Sequence, residues 1–260
     1  MRKDVYIGDT KIGAVELMSI SGDDNTIADA ARVSFDKTAE DFDQTKNNRL
    51  VKYLYRNKHT SPFEMVGTMW KIEAPLFVAR QWLRHRTASV NETSRRYVKD
   101  EVFVYTPPFY NASADNVKQG SSDAVHEMSD EYRNRVRELV AQSVLLYDRM
   151  VESGVAPEQA RIHLPQGMMT SWIWGMDLHN LLHFLMLRTD EHAQKEIRVF
   201  AETMLTSLRN TGQVKATLEA FDELRAREAF SRNLSNKKGY KKNPEEVLRG
   251  LWDAVNGIVR

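Results

Sequence analysis

The chain has 260 residues, with 37 Lys and Arg against 36 Asp and Glu, and it contains no cysteine. A formal charge of +1 excludes a global basic field for gripping nucleic acid, and the missing cysteine excludes disulfides, thiolate metal sites, iron–sulfur ligation and thiol nucleophiles. No apolar run approaches the roughly 20 residues that span a bilayer, and "MRKDVYIGDT" lacks the apolar core of a signal peptide, so a cytoplasmic protein is expected.

In chain order, "VYIGDTKIGAVELMSIS" reads as two short strands around Gly8-Asp9, an opening hairpin. "DNTIADAARVSF" follows as a helix, with Asp24 or Asn25 as cap and Ile27, Ala31 and Val33 on one side. Residues 41–57 carry Phe42, Leu50, Val51, Leu54 and Tyr55 at mostly helical spacing. "MVGTMWKIEAP" reads as a strand ending at Pro75, which suits the first position of a helix through "LFVARQWLRHR". Gln81, Arg84 and His85 would share a face of that helix.

Residues 107–122, rich in Pro, Asn, Ser and Gly, read as a loop. An amphipathic helix is expected over about 123–153, its stripe formed by Val136, Leu139, Val140, Val144 and Leu145. "MMTSWIWGM" alternates, setting Met168, Thr170, Trp172, Trp174 and Met176 on one strand face. "DLHNLLHFLMLR" then turns helical, with Leu178, Leu181, Leu182 and Leu185 as core and His179, His183 and Met186 beside them. Helical patterning resumes over about 193–230. "SRNLSNKKGYKKN" (231–243) reads as a basic linker, followed by a short helix capped by Asn243 with Pro244 at its first position. With no βαβ rhythm, the expected class is α+β: mixed helices around a small, mainly antiparallel sheet, one domain over 1–230 and an extension over 231–260.

Chemistry concentrates in "RHRTASVNETSRRY" (84–97), where four arginines and His85 surround one acid, Glu92, among Ser89, Asn91, Thr93 and Ser94. Planar guanidinium forks with hydroxyl, amide and loop N–H donors suit the phosphate of a small molecule. A solvated helix end is the bland alternative. "HTSPFE" (59–64) reads either as a capped turn or as part of a site through His59, Ser61 and Glu64. His179 and His183 at i, i+4 have metal-ligand spacing, but neither they nor His192 falls in an HExxH pattern, so no metal is expected. Arg161 in "ARIHLP" and Arg188 in "FLMLRTDEH" are cations in apolar settings: helix-end charges, or guanidiniums in a semi-buried pocket.

Arg84-His85-Arg86, seven residues and then Ser94 closely resembles the RHR-x7-S motif of the flavin-dependent thymidylate synthases. "HTSPFE", "APLFVARQWLRHR", "ARIHLP" and "HFLMLRTDEHAQKEI" resemble further segments of that family in the same order, covering most of residues 20–205. The resemblance implies synthesis of dTMP from dUMP, with FAD as cofactor, methylenetetrahydrofolate as carbon donor and NADPH as reductant. It further implies a homotetramer with shared active sites. FAD would be held by Ser61, Glu64, Arg84, His85, Arg86, Asn91, Glu92, Asp177, His179 and His183. Nucleotide contacts would come from Gln81, Arg84, Glu92, Ser94, Arg96, Arg161 and Arg188, and Arg188 would act catalytically by favouring ionisation of uracil at N3. The absent cysteine agrees, because a chain without a thiolate must activate dUMP by another means. Two positions depart from the family pattern: Asp177 where asparagine is common, and Met65 where histidine often follows. The competing reading is a nucleic-acid-binding module built from 84–97 and the Lys-rich arm 237–242.

Overall fold

The structure is a computed structural model and describes residues 2–94, 101–113 and 121–236. In chain order the elements are β1 (Arg2–Ile7), β2 (Thr10–Ser21), α1 (Asp24–Arg32), α2 (Gln44–Arg56), α3 (Ser61–Glu64), β3 (Gly67–Pro75), α4 (Leu76–Trp82), β4 (Ser89–Glu92), β5 (Asn111–Ser113), β6 (Ser121–Val125), α5 (Ser129–Glu152), α6 (Pro157–Ala160), β7 (Met169–Asp177), α7 (Leu178–Arg188), α8 (Lys195–Arg209) and α9 (Lys215–Asn236). They group into two compact units, Met1–Asp23 with Phe63–Gly212, and Asp24–Pro62 with Gln213–Arg260.

The first unit is organised by a sheet of order β1-β2-β3-β7-β4, antiparallel at every pairing among the described residues. The α+β class and the antiparallel sheet are as expected. Gly8 takes φ 57° at the first turn position between β1 and β2, a conformation glycine adopts without steric cost. Alternation then decides the faces: Thr68, Trp70 and Ile72 on β3 stand opposite Met176, Trp174 and Trp172 on β7, and all six are buried.

Trp82, at the end of α4, closes that face. Its ring lies 5.3 Å from Trp172, 5.5 Å from Trp174, 4.7 Å from Phe184 on α7 and 6.0 Å from Phe200 on α8. Edge-to-face aromatic packing of this kind adds to the large apolar area each ring removes from water. Gly13 on β2 makes the fit possible: a Cβ there would stand 2.0 Å from the Glu73 carbonyl oxygen and 2.8 Å from the Phe200 ring.

A smaller cluster of Val102, Tyr147, Ala160 and Met168 seats α5 through Val144, Met150 and Val151. Only part of the expected stripe is used. Leu139 is 64% and Leu145 50% exposed, because α5 packs along one narrow line of side chains. The helix also starts later than expected, since 121–125 pairs with 111–113 as a two-stranded ribbon. The polar residues that suggested a loop serve the ribbon: Asn111 Nδ2 donates to the Ser122 carbonyl, and Ser122 Oγ donates to the Ala112 carbonyl.

The second unit is helical. Arg32 ends α1 buried, with Nη1 2.5 Å from Asn47 Oδ1 and its guanidinium 4.0 Å above the Phe42 ring. Beyond it the chain tightens into a 3-10 turn, Val33–Phe35, which leaves Val33 73% exposed instead of on a core face. The Asp24 carboxylate works at the start of α9: it accepts from Ala216 N at 2.6 Å, Thr217 N at 3.1 Å and Thr217 Oγ1 at 2.6 Å. An anion at a helix N-terminus satisfies otherwise orphaned N–H groups. Asp24→Ala is expected to lower the unfolding free energy by about 2 kcal/mol, read as a lower urea midpoint at unchanged slope. Asp24→Asn should recover part of the loss. The boundary expected at 230 falls inside α9, which continues to Asn236; the Lys-rich arm 237–242 lies outside the described residues.

Candidate active site

Helix α4 ends sooner than its sequence pattern suggests. Leu83, with ψ near 0°, donates to the Ala79 carbonyl as C-cap, and His85 N closes a further turn onto the Trp82 carbonyl. Arg84 and His85 therefore do not share a helical face with Gln81. Arg84 and Arg86 are exposed while His85, between them, is half-buried and turned toward α7.

That turn brings the two halves of the expected site together. Arg188, the last residue of α7, donates from Nε to His85 Nε2 at 3.1 Å and from Nη2 to the Gln81 carbonyl at 3.3 Å. The His85 ring stands 4.9 Å from Phe184 and 6.3 Å from His183. No carboxylate among the described residues pairs with the Arg188 guanidinium. Burial lowers its pKa from the ordinary arginine value.

His85 is pushed down to about 4, first by burial, then by the Arg188 charge and by His183. Between about 4 and 6.5 the unfolded chain binds a proton that the folded imidazole refuses. The resulting stability is fully present above 6.5 and is lost as pH falls toward 4.

A residue that pattern reasoning missed completes this network. Gln194, the N-cap of α8, accepts from Gln81 Nε2 and holds that side-chain amide in place. It lies within the HFLMLRTDEHAQKEI segment but carries no charge, and only the fold reveals its contact with Gln81. Gln194, with His192 and Lys195, also borders a cavity of about 950 Å³ whose other walls include Phe77, Tyr105 and Phe109.

Strand β4 carries the next expected residues along the sheet edge. Asn91 is exposed and lines a shallow groove of about 410 Å³ with Ser19, Ser21, Met69, Ile173 and Gly175. Glu92 accepts from Thr170 Oγ1 at 2.7 Å, while Thr93 donates its N–H to the Ser171 carbonyl at 2.8 Å and pairs side chain to side chain with Ser171 at 2.9 Å. These contacts pin the RHR-x7-S segment to β7. Ser94 follows directly; Arg96 lies outside the described residues.

The remaining expected positions are scattered. Asp177 caps α7, accepting from Asn180 N at 2.9 Å and from Asn180 Nδ2 at 2.7 Å. Its departure from asparagine therefore retains a capping function. His179 is half-buried on the first turn of α7, and His183 is exposed on the next. Arg161 sits half-buried in the 3-10 turn Arg161–His163, outside the Arg188 network. Ser61 and Glu64 are both exposed at the ends of α3. No group of three or more His, Asp or Glu side chains among the described residues has the arrangement to hold a metal ion.

Residues 16–211 match the family described as thymidylate synthase complementing protein. The chain is similar to the flavin-dependent thymidylate synthase of Wolbachia pipientis wMel, 43% identical over 198 residues that cover 74% of this chain and 68% of the relative. It is also similar to the flavin-dependent thymidylate synthase of Rickettsia bellii, 39% identical over 229 residues, 82% of this chain and 76% of that one. Among solved structures, the UMP/dUMP methylase PolB from Streptomyces cacaoi with bound 5-Br dUMP superposes with a TM-score of 0.67 at 33% identity, covering 80% of this chain and 94% of PolB.

Proposed function

The chain belongs to the flavin-dependent thymidylate synthase family, and from that premise we propose that it methylates dUMP to dTMP, with FAD as cofactor, methylenetetrahydrofolate as carbon donor and NADPH as reductant. One observation carries the reading: a half-buried Arg188 charge, held by neutral acceptors and met by the RHR segment through His85.

Of the five N–H donors of a guanidinium, two are engaged among the described residues, leaving three for a ligand. Facing the uracil, Arg188 stabilises the ring form that has lost its N3 proton, and the electron-rich C5 gains nucleophilicity without a thiolate, which this chain does not possess. Its charge acts strongly because burial lowers the effective dielectric around it. The dUMP phosphate and sugar take Gln81, Arg84, Ser94, Arg96 and Arg161.

The donor set also suits a dinucleotide. Exposed Arg84 and Arg86 offer forks for a diphosphate, with His85 between them, Asn91, Glu92, His179 and His183 as polar contacts, and Ser61, Glu64 and Asp177 completing the expected set. Bound FAD supplies the redox chemistry; the side chains supply placement and electrostatics. Assembly as a homotetramer with shared sites would cover apolar side chains left in water, among them Phe35 at 75%, Ile162 at 72% and Leu139 at 64% exposure. No helix among the described residues is long and apolar enough to cross a membrane; we place the enzyme in the cytoplasm.

The purified protein is expected to be yellow, to release FAD on denaturation, and to form dTMP when given dUMP, methylenetetrahydrofolate and NADPH. UMP serves as the parallel substrate, because PolB is described as acting on both nucleotides. A colourless protein that makes no methylated nucleotide would overturn the proposal. Salt-steep binding to DNA or RNA in that protein would instead support the nucleic-acid module.

A further inference from the structure

We propose that His85 is a positioning residue for Arg188, a neutral imidazole whose Nε2 accepts the guanidinium Nε–H and thereby sets which edge of that cation meets the substrate. The inference rests on the reading of Arg188 as the group that faces uracil, and concerns how that group is aimed.

The two contacts to Arg188 fall on one edge of its guanidinium. His85 takes Nε–H and the Gln81 carbonyl takes an Nη2 hydrogen, which together define the side-on edge of the fork. Among the described residues nothing takes the end-on edge, which consists of one Nη1 hydrogen and the second Nη2 hydrogen. Two parallel N–H groups on that edge demand two adjacent acceptors. A neutral uracil does not offer them, since its N3–H donor sits between two carbonyls. Once N3 has lost its proton, that nitrogen and a neighbouring carbonyl oxygen become such a pair. Consuming the side-on edge therefore makes the cation discriminate between the two protonation states of the ring.

His85 performs this task only while Nε2 keeps its lone pair, which places the ring proton on Nδ1. Its surroundings enforce that state. Among the described residues, the charged or titratable groups that act on it are Arg188 and His183, both on α7, and both oppose a second proton. The apolar Phe184 ring covers another side. The imidazole remains neutral down to about pH 4.

The test uses full-length, flavin-loaded protein and two variants. His85→Gln keeps a neutral acceptor near the Nε2 position, and His85→Phe keeps a flat ring without one. With 15N-labelled arginine, the wild type should show a water-protected Nε–H resonance, assigned to Arg188 by its loss in Arg188→Lys, that persists to about pH 4. His85→Gln should keep it and His85→Phe should lose it. For dTMP formation by samples matched for flavin content, kcat of His85→Phe should fall about 10–100-fold with KM for dUMP nearly unchanged, and His85→Gln should lose about tenfold less than His85→Phe. Ultraviolet difference titration of bound 5-bromo-dUMP should show N3 ionisation moving to higher pH in His85→Phe alone. A protected resonance in His85→Phe, or equal losses in both variants, would overturn the positioning role. A wild type that shows the protected resonance but makes no dTMP would leave the contact standing and refute the functional reading beneath it.

Discussion

Arg188→Ala is expected to lower kcat for dTMP formation by about 10²–10³-fold while the visible flavin spectrum persists. The size follows from what the residue supplies. Arg188 places a positive charge, opposed by no carboxylate among the described residues, at the rim of an aromatic core built from Trp82, Trp174 and Phe184. A preorganised donor aimed at charge that develops during reaction is worth far more there than in water. Arg188→Lys retains the charge but loses the planar fork, so it should recover only part of the rate. The measurement is kcat under saturating dUMP and folate, with flavin content determined on the same samples. Wild-type turnover in Arg188→Ala would remove the mechanism.

Trp82→Ala should be the most destabilising single change in the first unit, costing about 3–5 kcal/mol. Trp82 is fully buried and touches four aromatic rings from β7, α7 and α8. Its indole N–H makes no hydrogen bond within the described residues, so the loss is one of packing and cavity formation. Trp82→Phe, which fills most of that volume, should lose much less. Urea midpoints at fixed protein concentration distinguish the two, and an equal loss in both variants would contradict the packing argument.

Much of the architecture was legible because local patterning and burial agree. The alternation in "MMTSWIWGM" becomes the buried face of β7, and the leucine spacing after Asp177 becomes the core of α7. What was not legible depends on partners distant in sequence. Asp24 reads as a cap for its own helix, yet its carboxylate serves residues 216 and 217. After α4 ends at Trp82, His85 comes to lie 4.9 Å from Phe184 and within hydrogen-bond reach of Arg188, partners about a hundred positions away in sequence. Within the candidate site, the ordered motifs name candidate residues but not their contacts. Only the fold shows that His85 touches Arg188 and that Gln194 meets Gln81.

The reach of Asp24 to α9 has a bearing on biogenesis. The helical unit joins residues 24–62 to residues after 213, so its early segments leave the ribosome well before the segment that completes them. During that interval the apolar side chains of α1 and α2 wait unsheltered, among them Ile27, Val51 and Leu54, which are fully or nearly fully buried in the finished fold. A nascent polypeptide stalled before residue 213 should therefore recruit holdase chaperones or proteases, and translation speed through the segment that encodes α9 becomes a determinant of yield.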